Sequence, residues 1–321
     1  MDGFYQTNQG AESGERALWW YDEQEIPFYY GLAKEFALGD HYHCALLGET
    51  WPNRAFLVAG TSFGKVDSTF PDLTAYAFPT NDAVVFDELD KRHVDFMLYT
   101  SGGPPGSAVV LGPSLGVRYG RSVVSPLEDF TAAAAAGTLP AVSFVDADFT
   151  TEGSADSQDE HPPGDIQIGQ KFVADIIATV MKSPQWKNTA LFLTYDEHGG
   201  IYDHVPPPPA CKPDNNPPVK TGGVSVPGAF DRLGFRVPLI VVSPYAKRGY
   251  VSHDVLSHTS ILRFIQAKFR VPALSARDAN AMIPIDFFDF GAPPKLDVPS
   301  LPEAKVDQAA LDFCHQTYPK K

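Results

Sequence analysis

The apolar residues of this chain come in runs of strand length separated by helical patterns, and this limits the possible folds more than any other feature. VPLIVV at 237–242 and TALFLTY at 189–195 fall far short of the roughly 18 apolar residues of a membrane span. A helical pattern at 165–183 precedes the second of these runs and places Ile166, Phe172, Ile176 and Val180 on one face. Another helix is expected at 258–269, after the run that begins at Val237. A third opens at Pro27, where proline suits a first turn, and is expected to stop at Gly39. Residues 131–140 read as the end of an alanine-rich helix. Buried strands alternating with helices imply an α/β protein, with a mostly parallel sheet covered on both faces.

Composition narrows the partners. With 25 Lys+Arg against 39 Asp+Glu the net charge is −14, and no basic run occurs. This argues against nucleic acid or an anionic membrane as an electrostatically held partner. The 321 residues, 44% of them hydrophobic, suffice for a large core and are read as one continuous domain, 1–321. Proline, 29 residues in all, clusters at 206–218 and 291–302, which marks loops or extended arms. The first lies in a Pro-rich loop insertion assigned to 205–232. Cys44, Cys211 and Cys314 are too few and scattered for a disulfide framework or a zinc site. The opening MDGFYQTNQG has neither the basic nor the apolar region of a signal peptide.

In open α/β sheets, ligands sit beyond the carboxyl ends of the strands. There the segment 193–209 places Asp196 and Glu197 before a glycine pair, with Asp203, His204 and a stiff proline run following. Adjacent carboxylates repel, so a cation beside them explains the pair, and all-oxygen ligands suit Ca2+, Mg2+ or Mn2+. The plainer reading is a turn cap at Asp196 and a solvated Glu197. The segment 40–54 offers the Thr50 hydroxyl after a turn at Gly48, with Asn53 and Arg54 as donors for an anionic oxygen. Threonine is a nucleophile only when a metal or base removes its proton, and otherwise Thr50 is a helix-start residue. His161, His253 and His258 stand in polar connections, and His258, at a helix start, suits a general acid for a leaving alkoxide. His41, His43, His93, His198 and His315 carry less chemical context. The aromatic stretch 19–30 is read as core or as a surface for a choline head group.

Residues 60–64 spell G-x-S-x-G around Ser62, and Asp203 with His253 or His258 would complete a serine esterase triad. That motif needs a helix directly after it. The following KVDSTFPDLTAY has no helical period and contains Pro71.

With these residues in hand, the chain resembles the phosphoesterase family of bacterial phospholipases C, plant non-specific phospholipases C and related acid phosphatases. The resemblance rests on YHCALLGETWPNR, EHPPGD, TYDEHGGIYDHVPPP and FRVPLIVVSPYAKRGYVSHDVLSHTSILRF, in that order along nearly the whole chain. It implies an alkaline-phosphatase-like α/β fold, its central sheet sandwiched between helices. It implies that Thr50 is the nucleophile, forming a phosphothreonine intermediate, since phospholipase-like members place threonine there and acid phosphatases serine. Asp196 and Glu197, with the Thr50 oxygen, would hold one divalent metal, Ca2+ first, with Mg2+, Mn2+ or Zn2+ as alternatives. His161 and His258 match histidines lining the phosphate site, and His204 and His253 match positions in the same motifs. Asn53 and Arg54 would bind the phosphate. Ser257 stands where many members have aspartate.

The implied reaction is metal-dependent hydrolysis of a phosphodiester or phosphomonoester, the substrate a small phosphate ester or a phospholipid head group. Acid phosphatase activity, a catalytically inactive fragment and a serine esterase using Ser62 are the alternatives. Members of the family begin with a Glu-Asn pair and a Ser-Phe-Asp sequence, which complete the metal site and follow an export signal. Neither sequence is present here, so the expectation is a truncated chain with an impaired site, its parent periplasmic or secreted.

Overall fold

A computed structural model describes residues 2–8, 14–68, 84–102 and 122–317. The nine α-helices among these are α1 (Asp2–Thr7), α2 (Pro27–Glu35), α3 (Thr50–Ala59), α4 (Val85–Lys91), α5 (Leu127–Ala136), α6 (Ile166–Lys182), α7 (His258–Phe269), α8 (Ala276–Ala279) and α9 (Gln308–Thr317). None is long and apolar enough to cross a membrane. The strands are β1 (Ala37–Gly39), β2 (Tyr42–His43), β3 (Phe96–Thr100), β4 (Val124–Pro126), β5 (Val142–Asp146), β6 (Leu191–Thr194), β7 (Val219–Lys220), β8 (Val224–Ser225), β9 (Leu239–Val242), β10 (Tyr250–Ser252) and β11 (Leu256–Ser257).

The protein is α/β, with helices packed on sheets that contain parallel pairs. Strands β4, β3 and β5 form a wholly parallel three-stranded sheet. The four-stranded sheet, in the order β10-β1-β9-β6, is more mixed than the sequence suggests. Only β1 and β10 run parallel, whereas β9 is antiparallel to both β1 and β6. The reason lies in the connection. A parallel return needs a crossover, usually a helix, but the chain between β6 and β9 carries no α-helix and instead makes a Pro-rich excursion with the β7–β8 hairpin. Strands β2 and β11 make a short parallel pair beside these sheets.

The helix expected to reach Gly39 ends earlier. Phe36 turns to an extended conformation (φ −129°, ψ −161°), and the next three residues become β1, inserted between β9 and β10. Gly39 suits that place because a Cβ there would stand 3.0 Å from the Phe287 ring. Helix α6 starts as expected, with the Asp165 carboxylate accepting from Gln167 N. Its buried line runs through Gln170, Ile177, Val180 and Met181, with Val173 and Ile176 partly buried beside it, so that of the expected face Val180 and Ile176 meet the core while Ile166 and Phe172 lie to one side of it. Helix α7 occupies 258–269 as read.

Two large apolar cores result, together with a small third cluster of Ala45, Leu46, Phe56 and Phe230. One packs Leu32 and Phe36 from the α2 region, Ile177 and Val180 of α6, and Phe287 against the β1 and β9 side chains. The other packs Phe86 and Leu89 of α4 and Val58 of α3 against Phe96 and Leu98 of β3. Helix α7 serves both, sending Ile261 to the first and Leu262 to the second. The aromatic stretch at 19–30 divides: Phe28 and Tyr29 are core, while Trp19 and Trp20 are 62% and 81% exposed. Phe287 is fully buried between core and β1, so Phe287→Ala is expected to cost about 3–5 kcal/mol, read from urea unfolding of the two proteins.

Candidate active site

Between β2 and α3 the chain turns through residues 44–49, and one buried side chain organises that turn. Asn53 Oδ1 accepts from Ala45 N (2.8 Å) and Leu46 N (3.2 Å), and its Nδ2 donates to Gly48 O (3.0 Å) and Glu49 O (3.1 Å). Every hydrogen-bonding position of the amide facing this turn is in use, so Asn53 shapes the loop and has no face left for a phosphate. Thr50 is thereby placed at the first turn of α3, where backbone N–H groups favour an anion.

Thr50 lines a cavity of about 410 Å³ together with His161, Glu197, Glu152, His198 and Phe235. Three residues singled out from the sequence, Thr50, His161 and Glu197, are thus brought together. His161 Nδ1 donates to Pro162 O at 2.7 Å. A carbonyl only accepts, so Nε2 is left as the proton-exchanging nitrogen, 3.6 Å from Glu152 Oε1. Burial pushes the Glu152 carboxyl up, and His161 works against that rise. Glu197 Oε2 accepts from Gly199 N at 2.9 Å, and Gly200 N donates to His198 Nδ1 at 3.0 Å. These bonds need the left-handed backbone of Gly199 (φ 62°) and Gly200 (φ 80°). The His198 ring stacks on Phe235, centroids 4.7 Å apart. Glu152 and His198 carry little local signal; a lone glutamate in a TTEGS turn is indistinguishable from a solvated one.

The remaining candidates lie elsewhere. Arg54 does not face the cavity: its Nε donates to Asp196 Oδ2 (2.7 Å) and its Nη1 to Asp146 Oδ1 (2.8 Å), with the guanidinium 4.7 Å from the Phe149 ring centroid. Burial disfavours its charge, but the two carboxylates outweigh that and raise its pKa. His258 is buried, with Nε2 donating to Asp196 O (2.7 Å) and Nδ1 accepting from Tyr42 OH (2.7 Å). Both nitrogens are engaged, and burial pushes the ring down to about 4. It is a neutral strut for the Asp196 backbone. Ser257 is the N-cap residue of α7: its hydroxyl bonds Thr259 Oγ1 at 2.8 Å and its backbone N–H donates to Ser260 Oγ at 3.1 Å. His204 and His253 are exposed, the latter 2.8 Å from Asp40 Oδ2, and neither lines the cavity.

Among the described residues, no group of three or more His, Cys, Asp or Glu side chains could hold a metal ion. Asp196 is engaged by Arg54 rather than meeting Glu197 and Thr50 around a cation. The described residues therefore do not fit a metal centre.

Ser62 does not sit on a nucleophile elbow. The segment before it is helix α3, which ends at Gly60 (φ 72°), and residues 65–68 are not helical. The serine is buried, with Oγ donating to Lys65 O at 2.6 Å. Pro71, which counted against the motif in the sequence, lies outside the described residues.

The fold is α/β, with a hydroxyl, carboxylates and imidazoles gathered on one cavity, and comparison with known proteins makes the class specific. The model of the Phosphoesterase family matches residues 1–272, and the chain belongs to that family. It is 33% identical over 320 residues to non-specific phospholipase C1 of Arabidopsis thaliana, covering 95% of this chain and 58% of that one. It is 32% identical over 327 residues to phospholipase C B of Mycobacterium tuberculosis, covering 89% of this chain and 59% of that one. The chain thus spans somewhat under 60% of the length of these relatives. A solved structure in the alkaline phosphatase superfamily, from Vibrio parahaemolyticus, is similar with a TM-score of 0.47 and 10% identity, covering 92% of this chain and 79% of that one. A likeness of that size adds nothing to what the strand pairings show.

Two outcomes follow from the geometry. Asn53→Ala strips partners from two buried N–H groups and two carbonyls and is expected to cost at least about 2 kcal/mol in urea unfolding. On acidification the unfolded chain takes up its histidine proton near 6.5, while buried His258 resists until about 4. The stability that this difference provides is complete above about pH 6.5 and is lost as pH falls towards 4. The difference in unfolding free energy between the unaltered protein and His258→Gln is expected to shrink as pH falls across that window.

Proposed function

We propose that this chain forms the nucleophile-bearing part of a hydrolase that cleaves phosphoric ester bonds, with Thr50 as the attacking group. The observation that carries the reading is the convergence of Thr50, His161 and Glu197 on one cavity at the N-terminal end of α3. Its volume of about 410 Å³ suits a small phosphate ester or a phospholipid head group. Relatives named as phospholipases C favour the phosphodiester.

In this reading the Thr50 oxygen attacks phosphorus, its proton passing to the Glu197 carboxylate, and the bond from phosphorus to the leaving oxygen breaks. His161 delivers a proton from Nε2 to the departing alkoxide, and Glu152 supports the charged ring. Water then attacks the phosphothreonine, giving a proton to the same nitrogen, while the bond from phosphorus to the Thr50 oxygen breaks and that oxygen takes back the proton held by Glu197. Negative charge on the phosphoryl oxygens is met by N–H groups of the first α3 turn and by the His198 ring. Arg54 and His258 act indirectly, by holding Asp196 and hence the strand end that carries Glu197. The divalent cation implied by the family resemblance, Ca2+ or one of its alternatives, has no ligand set among the described residues, and no step here runs through it.

The test is hydrolysis of an aryl phosphate and an aryl phosphorylcholine by the purified protein, with and without EDTA. Thr50→Ala is expected to reduce turnover by at least about 1,000-fold, while Ser62→Ala leaves it within about twofold. Full activity in Thr50→Ala would remove the nucleophile, and loss in Ser62→Ala would restore the esterase. Loss with EDTA that returned on adding a divalent ion would bring metal assistance into the mechanism.

A further inference from the structure

Beside the cavity lies a buried acidic joint that the reaction described above does not use. Glu160, one residue before His161, has a left-handed backbone (φ 61°), a conformation that a non-glycine residue keeps only when its surroundings hold it. Both carboxylate oxygens are engaged. Tyr29 OH, from α2, donates to Oε1 at 2.5 Å, and Tyr195 OH donates to Oε2. Tyr195 links β6 to Asp196 and Glu197. Room for the carboxylate comes from Gly169 of α6, where an added Cβ would stand 2.1 Å from Glu160 Cγ. The neighbouring Asp159 Oδ1 accepts from His161 N at 3.0 Å and from Ser157 OH at 2.5 Å, which stiffens the same loop.

We propose that Glu160 is a positioning residue for the cavity, its carboxylate clamping the loop that carries His161 to the strand end that carries Glu197. The assignment rests on the phosphoesterase reading for its chemistry and on the hydrogen bonds alone for its geometry. The titratable groups facing the carboxylate are Tyr29 of α2, Tyr195 after β6, Tyr21 before α2 and Asp159 of its own loop, and none of these is a cation. Burial accordingly pushes the carboxyl up to about 7, with the two tyrosine hydrogen bonds opposing the rise. An acid held in this way weakens the fold at alkaline pH. A side chain present for packing alone would be better apolar.

The clamp predicts that activity and stability separate on substitution. In the full chain, Glu160→Gln at pH 8 is expected to keep or raise the melting temperature, to lower kcat on aryl phosphate about tenfold or more and to leave KM nearly unchanged. Tyr195→Phe is expected to act in the same direction, and it decides the matter if Glu160→Gln does not fold. The ring resonances of His161 in ¹³C-histidine-labelled protein, assigned with His161→Asn, read the clamp without turnover and are expected to shift in both variants. Unmoved His161 resonances overturn the clamp. So does a fall in kcat that merely tracks loss of folded protein. If the unaltered chain hydrolyses neither ester, the phosphoesterase reading fails, and the His161 resonances still decide whether the clamp exists.

Discussion

The double ion pair of Arg54 is the interaction on which the site depends. One guanidinium joins Asp146, the last residue of β5, to Asp196, just past β6. It thereby fastens the parallel three-stranded sheet to the mixed four-stranded one. Arg54 stands one turn after Thr50 on α3, at the i, i+4 spacing that puts both on one side of a helix. The fastening therefore also anchors the helix whose first turn carries Thr50. His258 adds a second tie to the same spot by binding the Asp196 carbonyl from α7. Losing one member of such a partly buried set exposes the others to an uncompensated charge, a cost of about 3–5 kcal/mol in well-measured cases.

Around that fastening, burial moves proton affinities in opposite directions. His258 is driven down to about 4, while Glu160 is driven up to about 7 and Glu152 also rises. The first change makes the fold sensitive to acid. The second has the reverse sign: the native state binds more protons at Glu160 than the unfolded chain, so stability falls as pH rises from the ordinary carboxyl value through about 7. The two effects oppose each other between about pH 4.5 and 6.5. The cavity itself offers an imidazole and a carboxyl with raised proton affinity side by side, an arrangement suited to moving protons.

The long periodic elements were legible in the sequence, since α6 and α7 each carry an apolar face and a cap within their own residues. Strand β1 was not. Its three residues continue the apolar pattern of α2, and only β9 and β10, about two hundred residues later, pull them into an extended form. The same contrast runs through the site. Thr50, His161 and Glu197 sit in short motifs rich in Gly and Pro, and they do meet at one cavity. His258 looked like an acid at a helix start because nothing nearby shows that Tyr42 and the Asp196 carbonyl close over its ring. Asn53 was read as facing a ligand, although an Asn in the first turn after a tight loop had a local alternative in the loop's own backbone.

The order of strands also governs how the molecule is made. Strand β1 lies at 37–39, its sheet partners at 239–242 and 250–252, and β2 likewise pairs with β11 at 256–257. Contacts so distant along the chain are slow to form, because the intervening segment must be closed first. During synthesis the strand at the middle of the mixed sheet leaves the ribosome about two hundred residues before either neighbour exists. Through that interval its backbone groups lack their sheet partners, so the early half of the chain cannot complete the mixed sheet until the late half arrives.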